Sequence, residues 1–202
     1  MRNGKESLSP SDMDPNDLPD VPAFQDEITR DYLESTEPVR EGYYPFISGS
    51  NSFTFDFPEE MVVDETSIVG NEANSESLIF YYDDNNAEVM DEYTIHYLSS
   101  MSDVESSKDV MNKSAGIELD FKSVDTDNEG QYMEVAEVES DDSSLSLAAL
   151  IWNDDKQEIQ VFTEIICRND IEAQQCNSLK EDERKKVTAV MKSIKFKDNK
   201  GK

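Results

Sequence analysis

The chain has 202 residues, with 46 acids against 18 bases and a formal net charge of −28. A surface this negative repels nucleic acid and anionic lipid headgroups, and favours solubility, cations or basic partners. Hydrophobic residues make up 36% of the chain, too many for a disordered protein, yet no run of them approaches the length of a membrane-spanning helix.

The charge is unevenly spread. Residues 180–202 hold nine of the bases and four acids, a net +5, so the remaining 179 residues carry −33. Residues 1–20 are rich in Pro, Ser, Asp and Asn and read as a flexible polar leader. Such a leader is a tether if the chain is anchored to a surface, and a plain tail if it is cytosolic. Met1-Arg2-Asn3-Gly4 runs straight into polar sequence, without a signal-peptide pattern. The length suits one folded domain over 21–197, followed by a polar tail at 198–202.

Asp20 is placed to cap a helix with Pro22 in its first turn. Phe24, Ile28 and Tyr32 recur on one stripe beside Leu33, and Pro38 closes the segment. From Tyr43 the period becomes that of strands. Tyr43 to Ile47 is the first; Phe53, Phe55 and Phe57 alternate in a second, stopped by Pro58; Met61 to Val63 and Ser67 to Val69 are weaker. Leu78 to Tyr82, an acidic turn at 83–86 and Val89 to Leu98 predict a hairpin. Its second arm sets Tyr93, Ile95 and Tyr97 on one face and Glu92, Thr94 and His96 on the other. Ser102 and Glu105 fit a capping box for a helix that carries Val104, Val110, Met111 and Ala115 inward and ends at Gly116. Ile117, Leu119 and Phe121 then alternate as a strand, 125–130 is a turn, and Tyr132 to Val138 is the next strand.

The strongest signal lies at 143–167. Leu145 to Trp152 is apolar on both faces, Glu158 to Cys167 is rich in β-branched residues, and the Asn- and Asp-containing segment 153–157 between them is a turn. Burying each large apolar side chain is worth roughly 1.5–3 kcal/mol, which puts this hairpin at the middle of a sheet and Trp152, the only Trp, in the core. Ser178 and Glu181 fit a second capping box. The helix after it places Leu179, Val187, Val190, Met191 and Ile194 on one face, with acids 181–183 at its start and bases later. A brief strand at 194–196 follows. The order predicts an α+β fold, an antiparallel sheet with helices packed on it.

Cys167 and Cys176 have two readings. A disulfide would contribute roughly 2–3 kcal/mol and imply an oxidising, extracytoplasmic setting; two reduced thiols would suit a cytosolic protein. The loop-like composition between them favours the bridge, and without a neighbouring His they do not read as metal ligands. Asp125, Asp127, Glu129 and Gly130 echo the start of an EF-hand loop, but Ala136 stands where its bidentate Glu belongs, so the stretch reads as an acidic turn. The single histidine, His96, lies on the polar face of a strand. Neither a nucleophile-elbow serine nor a Gly-rich phosphate loop occurs. No catalytic, cofactor-binding or metal-binding residue is assigned.

Residues 18–27 (LPDVPAFQDE), Gly42-Tyr43-Tyr44, Phe55-Asp56-Phe57-Pro58 and the closing 191–196 (MKSIKF) resemble uncharacterised surface lipoproteins of Bacillus-type Gram-positive bacteria. The element order resembles the Mog1/PsbP-like fold. The resemblance implies a lipidated cysteine upstream of residue 1 and an extracellular, membrane-anchored domain without enzymatic activity or cofactor. It implies a protein or cell-envelope component as partner and membrane contact through the anchor only; the acidity argues against nucleic acid as a partner, and a monomer is expected. Two other readings stay open: a carboxylate-dependent, metal-assisted hydrolase, and a cytosolic protein whose acidic surface docks a basic partner.

Overall fold

The computed structural model describes residues 9–67, 74–82, 84, 87–141 and 143–197. In chain order the elements are α1 (Pro22–Gln25), α2 (Glu27–Arg30), β1 (Tyr43–Ile47), β2 (Phe53–Pro58), β3 (Met61–Val63), β4 (Ser75–Tyr82), β5 (Val89–Leu98), α3 (Val104–Ala115), β6 (Lys122–Val124), β7 (Gln131–Asp141), β8 (Ser144–Asn153), β9 (Glu158–Cys167), α4 (Ala173–Ser193) and β10 (Lys195–Phe196). All pairings are antiparallel. One sheet has the order β1-β2-β10, the other β3-β4-β5-β9-β8-β7-β6. The predicted central hairpin is β8–β9, with Leu145 opposite Ile165 and Trp152 opposite Glu158. β9 is the middle strand of the larger sheet, where Ile159, Val161, Thr163 and Ile165 are buried on one face, while Ile166 is exposed on the other.

The main core lies on one face of that sheet. Tyr93, Ile95 and Tyr97 of β5, Ile159, Val161 and Ile165 of β9, and Leu147, Ala149 and Ile151 of β8 are buried there. The small sheet and α4 cover this face side by side. Phe55 and Phe57 of β2 pack on Phe80 of β4, which stacks on Tyr93 with ring centroids 4.5 Å apart; Val187, Val190, Met191 and Ile194 of α4 complete the layer. The opposite face carries α3, whose Met111 forms a separate small cluster with Leu119, Ala136, Ala148 and Leu150.

Several local expectations are corrected. Asp20 caps nothing: the first helix breaks into two single turns because Asp26 takes an extended backbone and caps α2, its Oδ1 accepting from the Thr29 N–H at 2.7 Å. Residues from Ser9 onward, expected within the leader, form two 3-10 turns and bury Pro10 and Leu18; the apolar Leu18 joins the main core. Asp103, not Ser102, caps α3, because its carboxylate accepts from both the N–H and the hydroxyl of Ser106. Val110 and Ala115 are exposed rather than inward, since α3 rests on Met111 and Ser107. The chain after Gly116 does not join the sheet until Lys122.

Trp152 is half-buried, not core. It sits on the α3 face, stacked on the exposed Tyr132 at 5.6 Å. Ser178 is interior to α4, which begins at Ala173. Cys176 is therefore in the first turn of the helix rather than before it, and the acids at 181–183 lie mid-helix, where the dipole gives them no advantage. The weak strand at 67–69 and the turn at 83–86 lie largely outside the described residues.

Candidate functional site

Cys167, at the end of β9, and Cys176, in α4, form a disulfide with Cα atoms 5.8 Å apart. Both are buried. The bridge pins the start of α4 to the central strand and fixes where the helix runs across the sheet. Its buried stripe is Cys176, Lys180, Glu183, Val187, Val190 and Met191, the three- and four-residue spacing of one helix face.

That stripe carries Glu183 into the interior, where it meets a second acid. Asp91 of β5 lies two residues before the core tyrosine Tyr93, shares its face of the strand and so points toward α4, where it shares a hydrogen bond with Glu183. Only 5% of Asp91 and 9% of Glu183 is exposed. Burial first, and then the charge of Glu183, pushes the Asp91 carboxyl up to about 8. Lys186 donates to Glu183 at 2.6 Å. Burial pulls the Lys186 amine down, but the hydrogen bond and charge of Glu183, together with the charges of Glu60 and Tyr43, raise the group overall. Burial also raises Tyr43, Tyr82 and, furthest, Tyr93 around the pair. A carboxyl that keeps its proton at neutral pH has the chemistry of a general acid. Here α4 covers it.

The open surface lies on the other face of the sheet. Antiparallel register sets two rows across it. One row runs Tyr81, Glu92, Glu164, Ser146, Val138; the next runs Ile79, Thr94, Phe162, Ala148, Ala136. Helix α3 covers the Ala136–Ala148 end through Met111. Past its C-terminus, where Gly116 takes a left-handed φ of 71° and turns the chain, the small side chains Thr94, Ser146 and Ala148 leave a low floor. The result is a groove of about 500 Å³. Phe162 forms part of its floor, Ile117 (45% exposed) stands at its lip, and Glu92 and Glu164 line one end.

The residues singled out in the sequence are scattered by comparison. His96 faces the α3 side in the row beyond Thr94, opposite Gln160; it is half-buried and burial lowers its pKa. Cys167 faces the α4 side, so the two do not meet. The acidic turn at 125–130 closes on itself: the Thr126 hydroxyl donates to the Gln131 carbonyl at 3.0 Å and Gly130 has φ 72°. Among the described residues no group of three or more His, Cys, Asp or Glu is arranged to hold a metal ion.

The architecture is shared with solved proteins. A mutant of the protein Mog1 matches with a TM-score of 0.50 at 9% identity, over 78% of this chain and 97% of that one. The Saccharomyces cerevisiae Ran-binding protein Mog1p gives 0.49 at 8% identity, over 76% of this chain and 94% of that one. The fold is Mog1-like. The chain belongs to the YvcA_Mog1p family, described as "Putative lipoprotein YvcA", whose model matches residues 19–195. It is 35% identical over 141 residues, 69% of this chain, to the Bacillus subtilis (strain 168) protein of that description, and the match covers 54% of that relative's length. Among the described residues no helix is long and apolar enough to cross a membrane.

Proposed function

We propose that the chain is the extracytoplasmic part of a lipid-anchored surface protein that binds another protein of the cell envelope through the groove beside α3, without catalysis. The observation that carries this reading is the groove itself: an open site of about 500 Å³ whose apolar lip, Ile117, is left exposed. Exposed apolar surface gathered beside a concave floor marks a binding surface. The family's description as a lipoprotein and the Cys167–Cys176 bridge support the compartment. In this reading residues 21–197 carry the binding domain, to whose core Leu18 adds, and the chain further upstream links that domain to the anchor.

A hydrolase built on Asp91 and Glu183 has its best acid in place, but that pair lies beneath α4 and the groove lies on the opposite face of the sheet. Protease treatment of intact cells that express the whole natural gene tests the compartment. Loss of the chain from the membrane fraction, with no alkylatable thiol before reduction, is the expected result; a protected chain with two free thiols contradicts it. Comparison of Ile117→Asp with the parent chain tests the binding site: formaldehyde-trapped partner protein is expected to fall about tenfold, and unchanged trapping contradicts the assignment.

A further inference from the structure

The groove has a charge pattern that the rest of its face lacks. Glutamates of this face that lie under α3 are matched. Glu134 takes Lys108 Nζ at 2.7 Å, and Glu158 accepts from the Ser107 hydroxyl. Glu92 and Glu164 lie past the end of that helix. They stand directly opposite each other across β5 and β9, both are exposed, and among the described residues neither has an ion-pair partner. Like charges at directly opposed positions weaken a sheet.

Along the strands, apolar side chains flank this repulsive pair on both sides. Phe162 and Thr94 face each other one row away on one side, Met90 and Ile166 on the other, and Ile166 is 37% exposed. A purely apolar partner would bury the two carboxylates unpaired, which is costly. A purely cationic one would leave Ile117, Phe162 and Ile166 uncovered. A partner that supplies both groups satisfies the whole patch.

We infer that the groove receives a polypeptide segment that seats a lysine or arginine between Glu92 and Glu164 and lays a large apolar side chain on Phe162 against Ile117. This rests on the protein-binding reading above and names the chemistry of the partner. The net charge of −28 steers such a segment in and makes its affinity salt-dependent.

The test is a titration of the isotope-labelled chain, followed by backbone amide shifts, with three short capped peptides: alternating lysine and leucine, alternating glutamate and leucine, and alternating lysine and serine. The lysine–leucine peptide is expected to move the amides of Thr94, Ser146, Phe162 and Glu164, with affinity falling about tenfold between roughly 50 and 300 mM salt. The other two peptides are expected to bind there at least tenfold more weakly. The E92Q/E164Q variant is expected to lose about tenfold for the lysine–leucine peptide while its melting temperature holds or rises. Shifts spread over the acidic surface, or equal binding by the variant, overturn the inference. Equal binding of the glutamate–leucine peptide in the groove overturns it while leaving the protein-binding reading intact. If no peptide seats there and an N-acetylglucosamine oligomer does, both fail.

Discussion

Asp91 on β5 and Glu183 on α4 meet beneath the helix as a hydrogen-bonded pair of carboxyl groups that is nearly closed to solvent. Asp91 Oδ1 has no hydrogen-bond partner among the described residues. The pair thus stores an electrostatic cost at the contact between the long helix and the central sheet.

That cost depends on pH. The unfolded Asp91 carboxyl titrates near 3.8, whereas the folded one is pushed up to about 8. Between those values the unfolded chain has released the proton and the folded chain keeps it, so stability falls as pH rises through the window. It is fully present below the lower value and lost above the upper one, with a slope of up to about 1.4 kcal/mol per pH unit from this group. Denaturant unfolding at about pH 5 and about pH 9 is expected to show this fall. Asp91→Asn is expected to flatten it and to gain on the order of 2–5 kcal/mol at the higher pH. An unchanged slope in the variant would assign the fall to other groups.

The Cys167–Cys176 bridge closes a loop over a sequence separation of 9. Replacing both cysteines by serine is expected to lower the unfolding free energy by about 2–3 kcal/mol. The loss should be local first. Hydrogen exchange is expected to speed up over 173–180, while Val187 to Met191, held in the main core, stay protected.

Helix α3 is anchored by one fully buried apolar side chain, Met111. Met111→Ala removes it at a cost of about 2–5 kcal/mol, and because the cluster is separate from the main core the helix is expected to exchange its amides freely while β8 and β9 remain protected. Uniform loss of protection across the sheet would show that the two clusters unfold as one.

The repulsion between Glu92 and Glu164 predicts a trade of stability against binding. Either single Gln variant is expected to stabilise the free chain by about 0.2–1 kcal/mol. A melting curve unchanged or lowered in both variants would remove the repulsion argument.

The β8–β9 hairpin was legible because contiguous β-branched and apolar residues flank one turn, and β5 because Tyr93, Ile95 and Tyr97 alternate cleanly. The start of α4 was hidden: Lys180 and Glu183 occupy its buried stripe, so the apolar period fades there, and Ser178 with Glu181 imitates a cap inside the helix. The groove had no local signal. Its floor comes from Thr94, Ser146, Ala148 and Phe162, small or half-buried residues brought together by the pairing of β5 with β9, a contact between strands far apart in sequence. Glu92 and Glu164 are unremarkable in so acidic a chain until that register sets them face to face. The buried pair on the opposite face did have a signal: Asp91 is an acid in phase with the buried tyrosines of β5.

Site-specific photocrosslinking in cells tests the central claim most directly. A benzophenone amino acid placed at Thr94, inside the groove, is compared with one at Lys185, on the exposed side of α4. The account predicts a discrete protein adduct from position 94, lost when Ile117→Asp is added, and none from position 185. Equal adducts from both positions, or an adduct from 185 alone, would contradict it.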